Sequence, residues 1–160
     1  MKVLAGIRTA VYMTGFVVLW GWLALGVRRY DPAFGVEIPE WAPLLGFALM
    51  AVGGAVALTC GFFFATHGRG TPAPFDPPRE FVAVGPYRYV RNPMYIGALL
   101  VLGGFGLVER SQSVLVLALG AAVLAHLFVL LVEEPGLESR FGDSFRVYKR
   151  SVRRWLPRLP

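Results

Sequence analysis

One cysteine is all this chain has. Cys60 sits inside a hydrophobic run, with no partner and no Cys-x-x-Cys spacing. That excludes a disulfide framework and a thiolate metal site, and no metal is expected. Cys60 reads as a small buried apolar residue. Charge is scarce too: Asp, Glu, Lys and Arg make up 16% of the 160 residues, against 56% hydrophobic ones, and the mean hydropathy is +0.57. These values exclude an ordinary soluble domain and fit a small polytopic membrane protein. Also missing is the soluble dinucleotide fingerprint of a strand followed by G-x-G-x-x-G. Gly103-Gly104-Phe105-Gly106 lies inside a hydrophobic helix pattern, the wrong context. The net charge is +6. The basic residues crowd the loops and the tail, so anionic lipid headgroups are the expected partner and nucleic acid is not.

What is present is hydrophobic run after hydrophobic run. Thr9 to Val27 is long enough to cross a bilayer core at about 1.5 Å per residue. It exceeds a usual signal-peptide core and lacks an Ala-x-Ala site before Arg28, so it reads as a first span behind a short basic leader. Residues 28–43, with Arg28, Arg29, Asp31, Glu37 and Glu40, read as a loop. Further spans are expected over about 44–66, 94–108 and 113–132. Gly53, Ala57 and Gly61 form a small-xxx-small ridge on the second. Six prolines between 67 and 93 forbid a continuous helix there. The expected fold is therefore an all-α integral membrane protein. It has one domain over 1–160, about four spans, and an amphipathic helical tail broken at Gly142 with Asp143 capping its second half. Thirteen Lys and Arg fall on the side of the N-terminus, the 67–93 loop and the tail, and three on the other. The positive-inside rule then puts both termini in the cytoplasm, in a bacterial inner membrane.

Two polar clusters stand out against this background. Gly85-Pro86-Tyr87-Arg88-Tyr89-Val90-Arg91-Asn92-Pro93-Met94-Tyr95-Ile96-Gly97 precedes the third span, and Glu133-Glu134-Pro135 follows the fourth. An antiparallel hairpin brings them to one membrane face. Asn92 suits a helix N-cap and Pro93 a first helical position. Arg91 beside that helix start suits a carboxylate or phosphate. Gly97 leaves room for a ligand or another backbone. Two carboxylates at a helix C-terminus repel each other and oppose the helix dipole, so Glu133 and Glu134 call for a cation: Arg88, Arg91, Arg140 or a ligand. His126 is an ionisable residue inside a span, which makes it a candidate for function. It lies seven residues before Glu133, on the same face and about 10 Å away. A ligand bridging Arg91 and the glutamates is preferred to a direct salt bridge.

These motifs, with Glu-Glu-Pro-x-Leu-x-x-x-Phe-Gly-x-x-Phe-x-x-Tyr and the closing Arg-Arg-Trp-Leu-Pro, resemble the isoprenylcysteine carboxyl methyltransferase family. Phospholipid N-methyltransferases look similar in the same two places. The resemblance covers roughly residues 70–157. It implies a membrane methyltransferase that uses S-adenosylmethionine and a lipophilic acceptor such as an isoprenylcysteine carboxylate. The cofactor would lie among Arg91, Asn92, Pro93, Tyr95, Gly97, Glu133 and Glu134. Many members have histidine where Asn92 stands, and asparagine cannot act as a base near neutral pH. Arg88 and Arg140 are candidates to hold the acceptor carboxylate, with His126 the third catalytic candidate. A phospholipid acceptor is the alternative. Membrane reductases resemble the same region, but Ala98 stands where they carry an acidic residue. A non-enzymatic scaffold would leave Arg91, Tyr95 and the glutamate pair unexplained.

Overall fold

The computed structural model describes residues 2–68 and 82–157. The extended course expected for the proline-rich segment falls mostly outside them. Six α-helices follow in order: α1 Lys2–Val27, α2 Ala42–Phe63, α3 Pro93–Val108, α4 Gln112–Phe128, α5 Glu134–Phe141 and α6 Asp143–Ser151. Among the described residues the only extended pairing is a single parallel bridge between Val90 and Arg153. An all-helical chain is what a bilayer demands, since each backbone group must find its partner within its own segment. Among the described residues, three helical stretches are long and apolar enough to cross a membrane, and α3 is a shorter apolar helix.

The helices overlap the segments expected as spans and differ from them at their ends. α1 begins at Lys2, so the basic leader is part of the first helix rather than a separate segment. The fourth span does not stop at Val132. After α4 the chain makes a π turn over Val129–Glu133 and runs directly into α5. Pro135 gives the reason. Its ring has no N–H for the Leu131 carbonyl and would clash with it in a regular helix, and a wider turn relieves both problems. Glu133 and Glu134 therefore do not sit at a helix C-terminus, and Glu134 occupies the first turn of α5.

Close backbone approach fixes α2 against α3. A Cβ added at Gly53 would lie 2.5 Å from the Gly97 carbonyl oxygen, and one at Gly104 would lie 2.7 Å from that of Gly46. The expected ridge is thus divided. Gly53 and Ala57 face α3, whereas Gly61 meets Met13 and Thr9 of α1. At the opposite end of the bundle α1 has moved across to α4: Ala24 shares a buried cluster with Leu102, Val114 and Ala121.

That opposite end is latched by the loop after α1. Asp31 Oδ1 accepts from the Ser111 hydroxyl and from the Ser113 N–H, both at 2.9 Å, so a carboxylate sits at the start of α4 where the helix dipole favours it. Arg28 pairs with Glu109 at 2.8 Å. The α3–α4 turn closes as a Schellman motif with Arg110 at φ 49°: Ser111 N–H reaches Gly106 O and Arg110 N–H reaches Leu107 O. The polar clusters and the tail gather at the other end.

Candidate functional site

The strand-like tail organises this end. Arg91 N–H donates to Arg153 O at 2.9 Å, and Asn92 Nδ2 donates to Arg154 O at 3.1 Å. Asn92 does stand at the N-cap position of α3, but its side chain makes no cap bond there. The capping role expected for it is corrected: its amide is used to hold the tail. Asp143 is corrected in the same way. It begins α6 without capping it and accepts from Arg146 at 3.1 Å instead. The Gly-Pro-Tyr motif has a packing role. Gly85 has φ +58°, and a Cβ there would enter the Phe63 ring. Tyr87 is buried in edge contact with Phe64, and its carbonyl accepts from the Tyr148 hydroxyl at 2.7 Å. Burial pushes the Tyr148 hydroxyl well above its ordinary pKa, keeping it a donor.

The two glutamates have separate surroundings. Glu134 is buried and held by three cations. Arg154 grips it bidentately at 2.8 and 2.9 Å, Arg91 Nη2 lies 3.2 Å away, and Lys149 lies 3.6 Å away. Arg91 and Glu134 therefore make a direct ion pair. Glu133 accepts from the Tyr95 hydroxyl at 2.8 Å, and no cation among the described residues approaches it within ion-pair distance. Arg91 is only partly satisfied. Its side chain is 10% exposed, yet Nε and Nη1 are buried without a hydrogen-bond partner. Burial lowers its pKa and Glu134 opposes that shift.

Trp155 links this cluster to α4. Its Nε1–H donates to His126 Nδ1 at 3.0 Å, and its ring meets Tyr95 edge-on at 6.4 Å. An indole nitrogen can only donate, so His126 accepts at Nδ1 and a neutral imidazole there carries its proton on Nε2. The π turn inserts an extra residue between His126 and Glu133, so the two-turn alignment expected of a plain helix does not apply. The two are joined instead through Trp155 and Tyr95.

Of the remaining sequence candidates, Pro93 is buried at the start of α3. Gly97 is used against the α2 backbone: a Cβ on it would lie 2.7 Å from Gly53 O, so another backbone, not a ligand, fills its open side. Arg88 and Arg140 are exposed. Sequence reasoning missed Arg154 and Lys149 as partners of Glu134, and Trp155 as the partner of His126. The signal for Arg154 and Trp155 is the Arg-Arg-Trp run; Lys149 lies outside it.

Among the described residues, the assembled site has two buried guanidinium nitrogens without a partner, a carboxylate without a cation, and two aromatic rings, Tyr95 and Trp155, near that carboxylate. Buried donors without partners are rare in folded proteins and call for an explanation. An anionic group at Arg91 together with a cationic one near Glu133 would supply it. The carboxylate and ammonium of S-adenosylmethionine fit that pair.

Residues 41–144 match the family model described as phospholipid methyltransferase. The chain is similar to phosphatidylethanolamine N-methyltransferase of Paracoccidioides brasiliensis (strain Pb03), 35% identical over 86 residues, which is 52% of this chain and 9% of that protein. The enzyme of the same name from Arthroderma benhamiae is 31% identical over 86 residues, with the same coverage. The cobalt-zinc-cadmium resistance protein CzcN of Cupriavidus metallidurans is 28% identical over 137 residues, 86% of this chain and 57% of that one. The chain thus spans about a tenth of the length of the two fungal relatives.

Proposed function

The chain belongs to the phospholipid methyltransferase family, and from that premise we propose that it is an S-adenosylmethionine-dependent methyltransferase acting on a lipophilic acceptor in a membrane. A phospholipid amine is the favoured acceptor, because the fungal relatives carry that activity in their names. The isoprenylcysteine carboxylate rests on motif resemblance alone and stands second. The observation that carries the reading is the pair of buried Arg91 donors without a partner, together with a Glu133 that no cation among the described residues approaches.

When bound, the donor supplies an electrophilic methyl group on a sulfonium. Arg91 would hold its carboxylate, and Glu133 its ammonium. The Tyr95 and Trp155 faces suit the adenine or the sulfonium. Asn92 and Pro93 fix the start of α3, and Glu134 holds Arg91 and Arg154 in place. Methyl transfer needs in-line alignment and exclusion of water. The tail, bonded across Arg91 and Asn92, covers that end of the bundle and supports the second requirement.

The direct test feeds methyl-labelled S-adenosylmethionine to membranes containing the protein, with phosphatidylethanolamine and a farnesylated cysteine as rival acceptors. Label in the phospholipid is expected. Label in neither would end the enzymatic reading, and binding of NADPH alone would favour a reductase.

Two variants test the site. Glu133→Gln keeps an acceptor for the Tyr95 hydroxyl but loses the charge. Arg91→Lys keeps a cation near Glu134 but loses the planar fork. Each should weaken donor binding by about 1.5–3 kcal/mol, as expected for charge-assisted hydrogen bonds, with little change in Tm. Calorimetry in detergent measures it, and wild-type affinity in both variants rejects the assignment. The cytoplasmic placement of this end rests on the distribution of basic residues. A reporter active only outside the cytoplasm, fused after Pro160, should be silent; strong activity reverses the orientation.

A further inference from the structure

A histidine inside a membrane-spanning helix needs a polar partner, because lipid offers none. His126 on α4 finds one in the tail, where the Trp155 indole N–H donates to its Nδ1 at 3.0 Å. That contact decides what the imidazole can do. A base must offer a nitrogen with a free lone pair. The indole engages the lone pair of Nδ1, and the ring proton then sits on Nε2. Neither nitrogen is open to take a proton from an acceptor, so the catalytic role expected for His126 has no atom to work with in this geometry.

The same contact decides where the indole stands. A tryptophan side chain has a single hydrogen-bonding atom, and His126 takes it. The tail backbone just before it is fixed separately: Arg153 O accepts from Arg91 N–H, and Arg154 O accepts from Asn92 Nδ2. Those bonds hold the chain but leave the Trp155 ring its own side-chain torsions. The ring is only half-buried, and Leu156 after it is exposed, so packing alone constrains it weakly. The His126 bond removes the remaining freedom. With that bond made, the Trp155 ring stands 6.4 Å from Tyr95 at 83°, and Tyr95 in turn donates to Glu133 at 2.8 Å.

We propose that His126 is a positioning residue for the methyl donor: it fixes the Trp155 ring beside the Tyr95–Glu133 pair and takes no proton from the acceptor. This role rests on the donor site proposed above; the indole contact does not. The role asks for an acceptor atom at the Nδ1 position and nothing more. Asparagine supplies one, because its Oδ1 has the same reach from the backbone, and asparagine cannot act as a base near neutral pH. His126→Asn therefore separates positioning from proton transfer.

The test uses full-length protein in detergent, labelled with nitrogen-15 at its four tryptophans. Trp155→Phe identifies the Trp155 indole resonance by its loss. With no donor present, that resonance should move in His126→Leu and stay close to its wild-type position in His126→Asn. Calorimetry with S-adenosylmethionine should show binding weakened about fivefold in His126→Leu and in Trp155→Phe, as for one hydrogen bond, and restored in His126→Asn. The double variant His126→Leu with Trp155→Phe should bind no worse than Trp155→Phe alone, because His126 acts through the indole. Turnover of methyl-labelled donor should be rescued by His126→Asn. A fall in kcat of about a hundredfold or more in that variant, with donor affinity kept, would make His126 a base and overturn the proposal. An indole resonance that does not move in His126→Leu would overturn it too. If His126→Leu does not fold, Trp155→Phe decides alone, since wild-type donor affinity there leaves the indole no part in binding. Failure of the donor site itself looks different. Wild-type protein then binds no S-adenosylmethionine, which removes this role along with the methyltransferase reading, while the resonance still moves in His126→Leu.

Discussion

Glu134→Gln should cost about 3–5 kcal/mol of stability, the range for breaking a buried ion pair by removing one partner. The loss arises on the cations left behind. Arg91 is 10% exposed and Arg154 24% exposed, and without the carboxylate both must either stay buried unpaired or withdraw. Arg91 already carries two unpartnered nitrogens, so it has no reserve bond to fall back on. Withdrawal of Arg154 would loosen the segment that bonds to Arg91 and Asn92, and with it the Trp155 bond to His126. One substitution should thus lower Tm and release the tail together. Glu133→Gln is the control, since its glutamate has only the Tyr95 hydroxyl to lose and glutamine keeps an acceptor for it. Equal Tm losses in the two variants, or none in Glu134→Gln, would reject the division of labour between the glutamates.

That division could not be read from the sequence, for a reason that lies in Pro135. Two adjacent glutamates after an apolar run read as one charged end of a helix. The π turn that Pro135 demands carries the helix past them and sends their side chains to different neighbours. The meeting of the two clusters was legible, because span lengths and the short α3–α4 turn leave an antiparallel hairpin little freedom. Arg91 and Glu134, 43 positions apart, do touch. The partners supplied by the tail were not legible. Arg154 and Trp155 reach the site through a single bridge to Val90 and two bonds to residues 91 and 92, and pairing that short leaves no periodic pattern. Asn92 shows the limit of local reasoning. It looks like a cap, and its position is that of one, yet a backbone carbonyl 62 residues away takes its side chain.

Gly97→Ala should be nearly as costly as losing Glu134, for a different physical reason. The added methyl would lie 2.7 Å from Gly53 O and 3.0 Å from Ala57 N, and both are backbone atoms that cannot rotate aside. Relief requires α2 and α3 to move apart. That also weakens the Gly46–Gly104 contact, where each glycine faces the other's carbonyl oxygen. Overpacking of this kind costs about 1–3 kcal/mol and occasionally more, and here the larger figure is expected because two reciprocal contacts open together. Gly103→Ala on the same helix is the control: nothing lies within 4 Å of its added Cβ, so its Tm should stay at wild type or rise slightly through better helix propensity. Function should follow stability, because Tyr95 is on the first turn of α3 and meets Glu133 only while that helix keeps its place. The two explanations of Gly97 then differ in what a bound donor does. If the glycine serves helix packing, the alanine variant loses Tm without the donor present and regains donor affinity in conditions that restore the fold. If it instead made room for the donor, Tm without the donor would be unchanged and affinity alone would fall. The 2.7 Å approach to Gly53 O points to the first outcome.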